Sequence, residues 1–297
     1  MISIIKLDRP LFIIGSPRSG TSLLRLILTS HSQILVPPEC GYIIWLHKKY
    51  ASWQVSDNND PSRLGTFLDD LFACNKFDTW LLDKGFIESQ IALNKPANYA
   101  ELCAIIHAAF GISNGENFSI WGDKNNFYLN HLDELLSLYK KARFLHIVRD
   151  GRDVACSYRE VMAAKSMSPY APKLVTKITD IASEWSNNVM KIDSFMTLMP
   201  RGIAMTIRYE DLVLHSPSSF MAICEWLGFP FEADMLNFYQ QNKTKKLEPE
   251  LTMDWKMRTL QPISDDTVGR YASLLSNEEQ EEFLAVAAIA LHRFSYI

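Results

Sequence analysis

Two stretches of the chain hold the residues best suited to gripping a phosphorylated anion. In Gly15-Ser16-Pro17-Arg18-Ser19-Gly20-Thr21-Ser22 two glycines bracket an arginine and lead into Leu23-Leu24-Arg25-Leu26-Ile27-Leu28, which has helical spacing. A glycine-bearing turn into a helix offers backbone N–H groups to an anion. The glycine spacing is that of the nucleoside-triphosphate loop GxxxxGK[ST], but Thr21 stands where that pattern demands lysine, and the cation sits inside the loop at Arg18. A triphosphate enzyme uses that lysine on the β- and γ-phosphates and the next hydroxyl on Mg²⁺. A donor with one anhydride and no γ-phosphate needs neither. Alone, the segment also reads as an ordinary strand-to-helix turn with an exposed arginine.

The second stretch is Arg149-Asp150-Gly151-Arg152-Asp153-Val154-Ala155-Cys156-Ser157, which begins where an apolar run ends at Val148. A forked guanidinium and a hydroxyl suit a terminal phosphate. Arg152 and Asp153 read as capping or pairing residues of the turn. Two further segments are Arg208-Tyr209-Glu210-Asp211-Leu212, directly after another apolar run, and Val268-Gly269-Arg270-Tyr271. Among acids, Glu39 lies at the end of the second expected strand, 21 residues after Arg18, so a parallel sheet puts both at its carboxyl edge.

The elements that must position these residues alternate. Strands are expected at Leu11–Gly15, Ile34–Val36, Phe118–Trp121, Phe144–Val148 and Gly202–Ile207. Helices are expected at Thr21–Leu28, Tyr42–Tyr50, Leu129–Tyr139, from near Asp153, and over Ala182–Met199, Pro217–Leu227 and Phe283–Leu291. This predicts an α/β chain, a P-loop-like doubly wound parallel sheet flanked by helices, in one domain over 1–297. Helical patterns without a strong strand at Leu64–Phe72 and Leu102–Phe110 predict a helical insertion over about 56–117. The polar stretch 240–267, with Lys243, Lys245 and Lys246, reads as a solvated charge run or as a loop covering a site.

Composition removes several classes. Thirty basic against 34 acidic residues give a net charge of −4, with no block of five like charges, so no nucleic-acid surface is expected. The five cysteines are widely spaced and form no CxxC pair, which suits free thiols in a reducing, cytoplasmic setting. Lys6, Asp8, Arg9 and Pro10 interrupt the apolar start before a signal-peptide core forms, and Phe283–Leu291 is too short to span a membrane. The seven histidines show no ligand spacing and no HExxH occurs, so no metal is predicted.

Together, PRSGT at 17–21 and VRDGRDVACS at 148–157 resemble the two nucleotide-binding segments of sulfotransferases dependent on 3′-phosphoadenosine-5′-phosphosulfate (PAPS). The resemblance runs from about residue 11 to 271 and implies the donor PAPS. The loop Arg18, Ser19, Gly20, Thr21 and Ser22 would hold the 5′-phosphosulfate, and Arg149 with Ser157 the 3′-phosphate. Tyr209, in a segment similar to the family's YEDL, would lie by the adenine, and Arg270 would close over the nucleotide. The opening PLFIIGSPRSGTSLLRLILTSHSQILVPPECGYI is similar to the tyrosylprotein sulfotransferase branch, in which a glutamate at the position of Glu39 is the general base. Lys124, in Trp121-Gly122-Asp123-Lys124-Asn125-Asn126, resembles the family lysine on the bridging oxygen and sulfonate. The steroid and phenol branch carries its base histidine two residues after that lysine, where this chain has Asn126. Should Glu39 be structural, His107 is the next base to consider. The acceptor expected is a small molecule, lipid, glycan or peptide with a hydroxyl or amine. A P-loop kinase or hydrolase, or a non-catalytic nucleotide-binding protein, are the rivals.

Overall fold

The computed structural model of the chain describes residues 8–297; the reading of Met1–Leu7 lies outside the described residues. Five strands are present, β1 (Leu11–Ile14), β2 (Ile34–Leu35), β3 (Ile120–Lys124), β4 (Arg143–Val148) and β5 (Ala204–Arg208), in the sheet order β2-β3-β1-β4-β5. β2 runs parallel to β3 with Ile34 opposite Ile120, and β4 runs parallel to β5 with Val148 opposite Arg208. Every residue of β1 is buried, as a strand covered on both faces requires. This is an α/β fold with a central parallel sheet flanked by helices, and the chain crosses to either side of β1, the usual place for a ligand in such sheets.

By internal contacts the described residues divide into two compact units, 8–12 with 31–143, and 13–30 with 144–297. In the first unit the helices Pro61–Phe72, Lys84–Asn94 and Tyr99–Ser113 occupy the stretch expected to be helical. The helix Lys84–Asn94 was not legible, because its polar residues outnumber the two buried ones, Ile87 and Ile91. The helix expected over Tyr42–Tyr50 is two short turns, Tyr42–Trp45 and His47–Tyr50.

β3 differs from its expected span by extending through Gly122-Asp123-Lys124, residues that read as a turn. Two contacts explain the extension. A Cβ on Gly122 would stand 2.5 Å from the Leu11 carbonyl oxygen, so only glycine permits this approach. Asp123 is buried but accepts a hydrogen bond from the Tyr128 hydroxyl at 2.6 Å.

In the second unit the C-terminal helix Asn277–Arg293 starts on a capping box between Ser276 and Glu279 and buries Phe283, Ala287, Ala290 and Leu291. That stripe joins a core with Trp185 and Val189 of the helix Ile178–Leu198. The same Trp185 donates its indole N–H to the Arg149 carbonyl at 3.0 Å, so packing reaches the end of β4.

Candidate active site

In the second unit the loop after β1 and the loop after β4 converge. Arg18 takes a left-handed backbone conformation, φ 64°, and its guanidinium donates through Nε to Ser157 Oγ at 3.1 Å and through Nη2 to the Trp255 carbonyl at 3.0 Å. Arg149 donates to the Arg18 carbonyl at 3.3 Å and to the Thr267 carbonyl at 2.6 Å, and lies over the Tyr209 ring at 4.4 Å. The Tyr209 hydroxyl shares a 2.8 Å hydrogen bond with Thr267 Oγ1. Thus Arg18, Arg149, Ser157 and Tyr209, drawn from three separate segments, form one connected cluster.

Gly20 caps the helix Thr21–Thr29 at φ 97°, and a Cβ there would meet the Tyr209 ring at 2.5 Å. Both the conformation and the contact demand glycine. We expect Gly20→Ala to destabilise the fold by about 1–3 kcal/mol, the usual cost of a strained non-glycine backbone. Urea denaturation reads this as a lowered midpoint, and an unchanged midpoint would contradict it. Thr21 is buried at the first turn of the helix, and Ser22 follows it half-buried.

Arg270 ion-pairs with Glu160, and Asp153 accepts hydrogen bonds from the backbone N–H groups of Gly269 at 2.7 Å and Tyr271 at 3.0 Å. Asp153 therefore anchors the turn that carries Arg270. Arg152 pairs instead with Asp150 at 2.7 Å. Burial, reinforced by the neighbouring Arg149, pulls the Arg18 guanidinium down to about 10. Arg149 Nε, Arg270 Nε and Ser19 Oγ are buried without a hydrogen-bond partner among the described residues. Crowded, desolvated cations with orphaned donors fit a polyanion.

The stretch 240–267 contributes to this cluster. After the helix Phe238–Lys245, whose Lys243 and Lys245 are exposed, Glu248 makes a buried ion pair with Arg25 at 2.8 Å and another with Lys256. Those pairs tie the segment carrying Trp255 to the helix after the loop. Sequence reasoning missed Trp255 and Thr267, whose backbone carbonyls no side-chain pattern encodes and of which Thr267 also offers its hydroxyl to Tyr209. Asp153 had a signal, a buried acid inside the second motif.

In the first unit Lys124 is almost fully buried at the end of β3 rather than solvated in a turn, and it donates to Glu39 Oε2 at 3.1 Å. Lys76 Nζ stands 3.5 Å from the same oxygen. His107 is fully buried, with Nδ1 2.7 Å from the Tyr42 hydroxyl and its ring against Trp80 and Trp121. It has no access to an acceptor, which removes it as a substitute base. No cluster of three His, Cys, Asp or Glu side chains able to hold a metal ion occurs among the described residues, and no described helix is long and apolar enough to cross a membrane.

The comparisons agree with this architecture. A profile of the sulfotransferase family matches residues 10–233. Protein-tyrosine sulfotransferase 1 of Danio rerio is 23% identical over 297 residues, covering 97% of this chain and 73% of that protein. The chain spans about half the length of two further curated relatives it matches. Among solved structures, the sulfotransferase domain from the curacin biosynthetic pathway superposes with a TM-score of 0.53 at 20% identity, covering 90% of this chain and 97% of that one. Mouse sulfotransferase SULT7A1 complexed with PAP gives 0.52 at 12% identity, covering 96% and 85%. With the family profile spanning most of its length and the fold shared with these structures, the chain belongs to the sulfotransferase family.

Proposed function

We propose that the chain transfers a sulfonate group from PAPS to an acceptor hydroxyl or amine, with Glu39 as general base. The observation that carries the donor is the crowding of Arg18, Arg149 and Arg270, with the Nε groups of Arg149 and Arg270 and the Ser19 hydroxyl buried without a hydrogen-bond partner among the described residues. The likeness to a structure complexed with PAP supports the same reading. PAPS supplies an activated sulfonate on a phosphate leaving group.

Arg18, with the backbone of the Ser19–Ser22 turn, holds the phosphosulfate; Arg149 and Ser157 hold the 3′-phosphate; Tyr209 orients the adenine; and Arg270, on the turn anchored by Asp153, closes over the nucleotide. The segment 240–267 is the cover, fixed by Glu248 and lending the Trp255 carbonyl to Arg18. Glu39 removes the acceptor proton, and Lys124, a point charge with three donors, stabilises charge developing on the leaving oxygen. The carboxylate and ammonium are already within ion-pair distance, which suits both roles. The helices between residues 56 and 117 shape the acceptor side. All five cysteines are free, which supports a reducing compartment such as the cytoplasm.

Incubation with radiolabelled PAPS and a panel of tyramine, a tyrosine peptide, glucosamine and a sterol tests the reading. Labelled product from at least one acceptor is expected, and no transfer to any, with PAPS left intact, would oppose it. Because Thr21 replaces the lysine of the Mg²⁺-dependent triphosphate loop, activity is expected to survive EDTA unchanged. Complete loss restored by Mg²⁺ would favour a kinase-like chemistry instead.

A further inference from the structure

A proton acceptor that shares its charge with Lys124 faces a conflict. If Lys124 follows the charge growing on the leaving oxygen, Glu39 loses its closest cation during the step that needs its carboxylate oriented. A second cation stands in place. Lys76 Nζ is 3.5 Å from Glu39 Oε2, beyond hydrogen-bond length but within ion-pair range, and it makes no hydrogen bond to any described residue. Its side chain is 18% exposed, like the 17% of Glu39 and unlike the 2% of Lys124, so Glu39 has one buried and one partly open cation.

The placement of Lys76 is built rather than incidental. The turn 74–80 is fastened to the Glu39 loop on both sides of the carboxylate. Trp80 Nε1 donates to the carbonyl of Pro38 at 2.9 Å, and Cys40 Sγ lies 3.5 Å from the carbonyl of Asn75. Phe77 and Trp80 stand edge-on to Tyr42 with centroids 5.9 and 5.8 Å away. Lys76 itself sits at φ 68°, a conformation that costs a lysine and suits a glycine. A strained backbone held by tight packing beside a reactive pair is where function is sought.

Resting on the reading of Glu39 as base, we propose that Lys76 is its positioning residue: a second counter-ion that keeps the carboxylate in place and frees Lys124 for the sulfonate. The step balances without any further reactant. The acceptor O–H or N–H bond breaks and its proton goes to Glu39; the acceptor atom bonds sulfur; and the bond from sulfur to the bridging oxygen breaks, its electron pair leaving with the phosphate. Once Glu39 is protonated its hold on Lys124 vanishes, while Lys76 has kept it aimed until then.

The test is a double-mutant cycle on single-turnover transfer from radiolabelled PAPS to tyramine, or on sulfate release to water should tyramine not react. Lys76→Gly removes the ammonium while relieving the left-handed backbone, so its thermal midpoint should not fall, and Lys76→Met serves as the second variant. Both should lower the rate about 10- to 100-fold with PAPS affinity unchanged, and Lys76→Arg should restore most of it. In a Glu39→Gln background the same changes should alter the rate less than about threefold, because a residue acting through the carboxylate has nothing left to act on. Lys76→Gly at wild-type rate, or an equal loss in both backgrounds, overturns the proposal while leaving Glu39 as base. Glu39→Gln at wild-type rate overturns the base assignment itself, and this proposal with it.

Discussion

Glu39→Gln is expected to reduce single-turnover sulfonate transfer by about 10²- to 10⁴-fold, the usual worth of a general base, while leaving affinity for 3′-phosphoadenosine-5′-phosphate (PAP) nearly unchanged. The amide keeps the shape of the carboxylate and can still accept a hydrogen bond from Lys124, which donates to it at 3.1 Å, but it takes no proton at neutral pH. Arg18→Ala should behave differently. On the proposed reading it removes a cation that holds donor and transition state alike, so nucleotide binding and turnover should fall together. Transfer by the Glu39→Gln enzyme within a few-fold of wild type would make Glu39 structural.

The second large effect concerns the 3′-phosphate. PAP should bind more tightly than adenosine-5′-phosphate by about 2 to 4 kcal/mol, taking roughly 1.5 to 3 kcal/mol per charged hydrogen bond. Calorimetry should show this as a difference of about 30- to 900-fold. Arg149→Ala should collapse the difference. Because Arg149 also bonds the Arg18 and Thr267 carbonyls and stacks on Tyr209, its loss will loosen the site as well. Affinity for adenosine-5′-phosphate, which lacks the phosphate in question, measures that loosening separately. Equal affinities of the wild-type protein for the two nucleotides would remove Arg149 and Ser157 from the role proposed.

The parts of this arrangement readable in the sequence are those encoded locally. The loop after β1 declares itself because Gly15 and Gly20 bracket Arg18 ahead of a helical run, and the end of β4 because an apolar run stops at an arginine. The ends of β3 and the neighbourhood of Lys124 were less legible. Gly122-Asp123 reads as a turn until the Leu11 carbonyl and the Tyr128 hydroxyl are brought beside it, and both depend on tertiary contacts. Lys76 was invisible for the same reason. It lies 37 positions from Glu39 in a stretch with no motif, and reaches it through tertiary contacts such as that of Trp80 with the Pro38 carbonyl and Cys40 with the Asn75 carbonyl. The role of Trp255 belongs to its carbonyl oxygen, which any residue would supply, and Thr267 adds to its carbonyl a hydroxyl that meets Tyr209 only through the fold. Asp153 was read as a turn residue although it anchors the backbone beside Arg270.

Donor choice is the most direct test of the central claim. The enzyme should be offered sulfur-labelled PAPS and γ-labelled ATP in parallel, with the same acceptor panel and with Mg²⁺ present. The account predicts label in the acceptor from PAPS alone, because the loop carries Arg18 and lacks the lysine that a γ-phosphate requires. Label arriving from ATP and none from PAPS would contradict it.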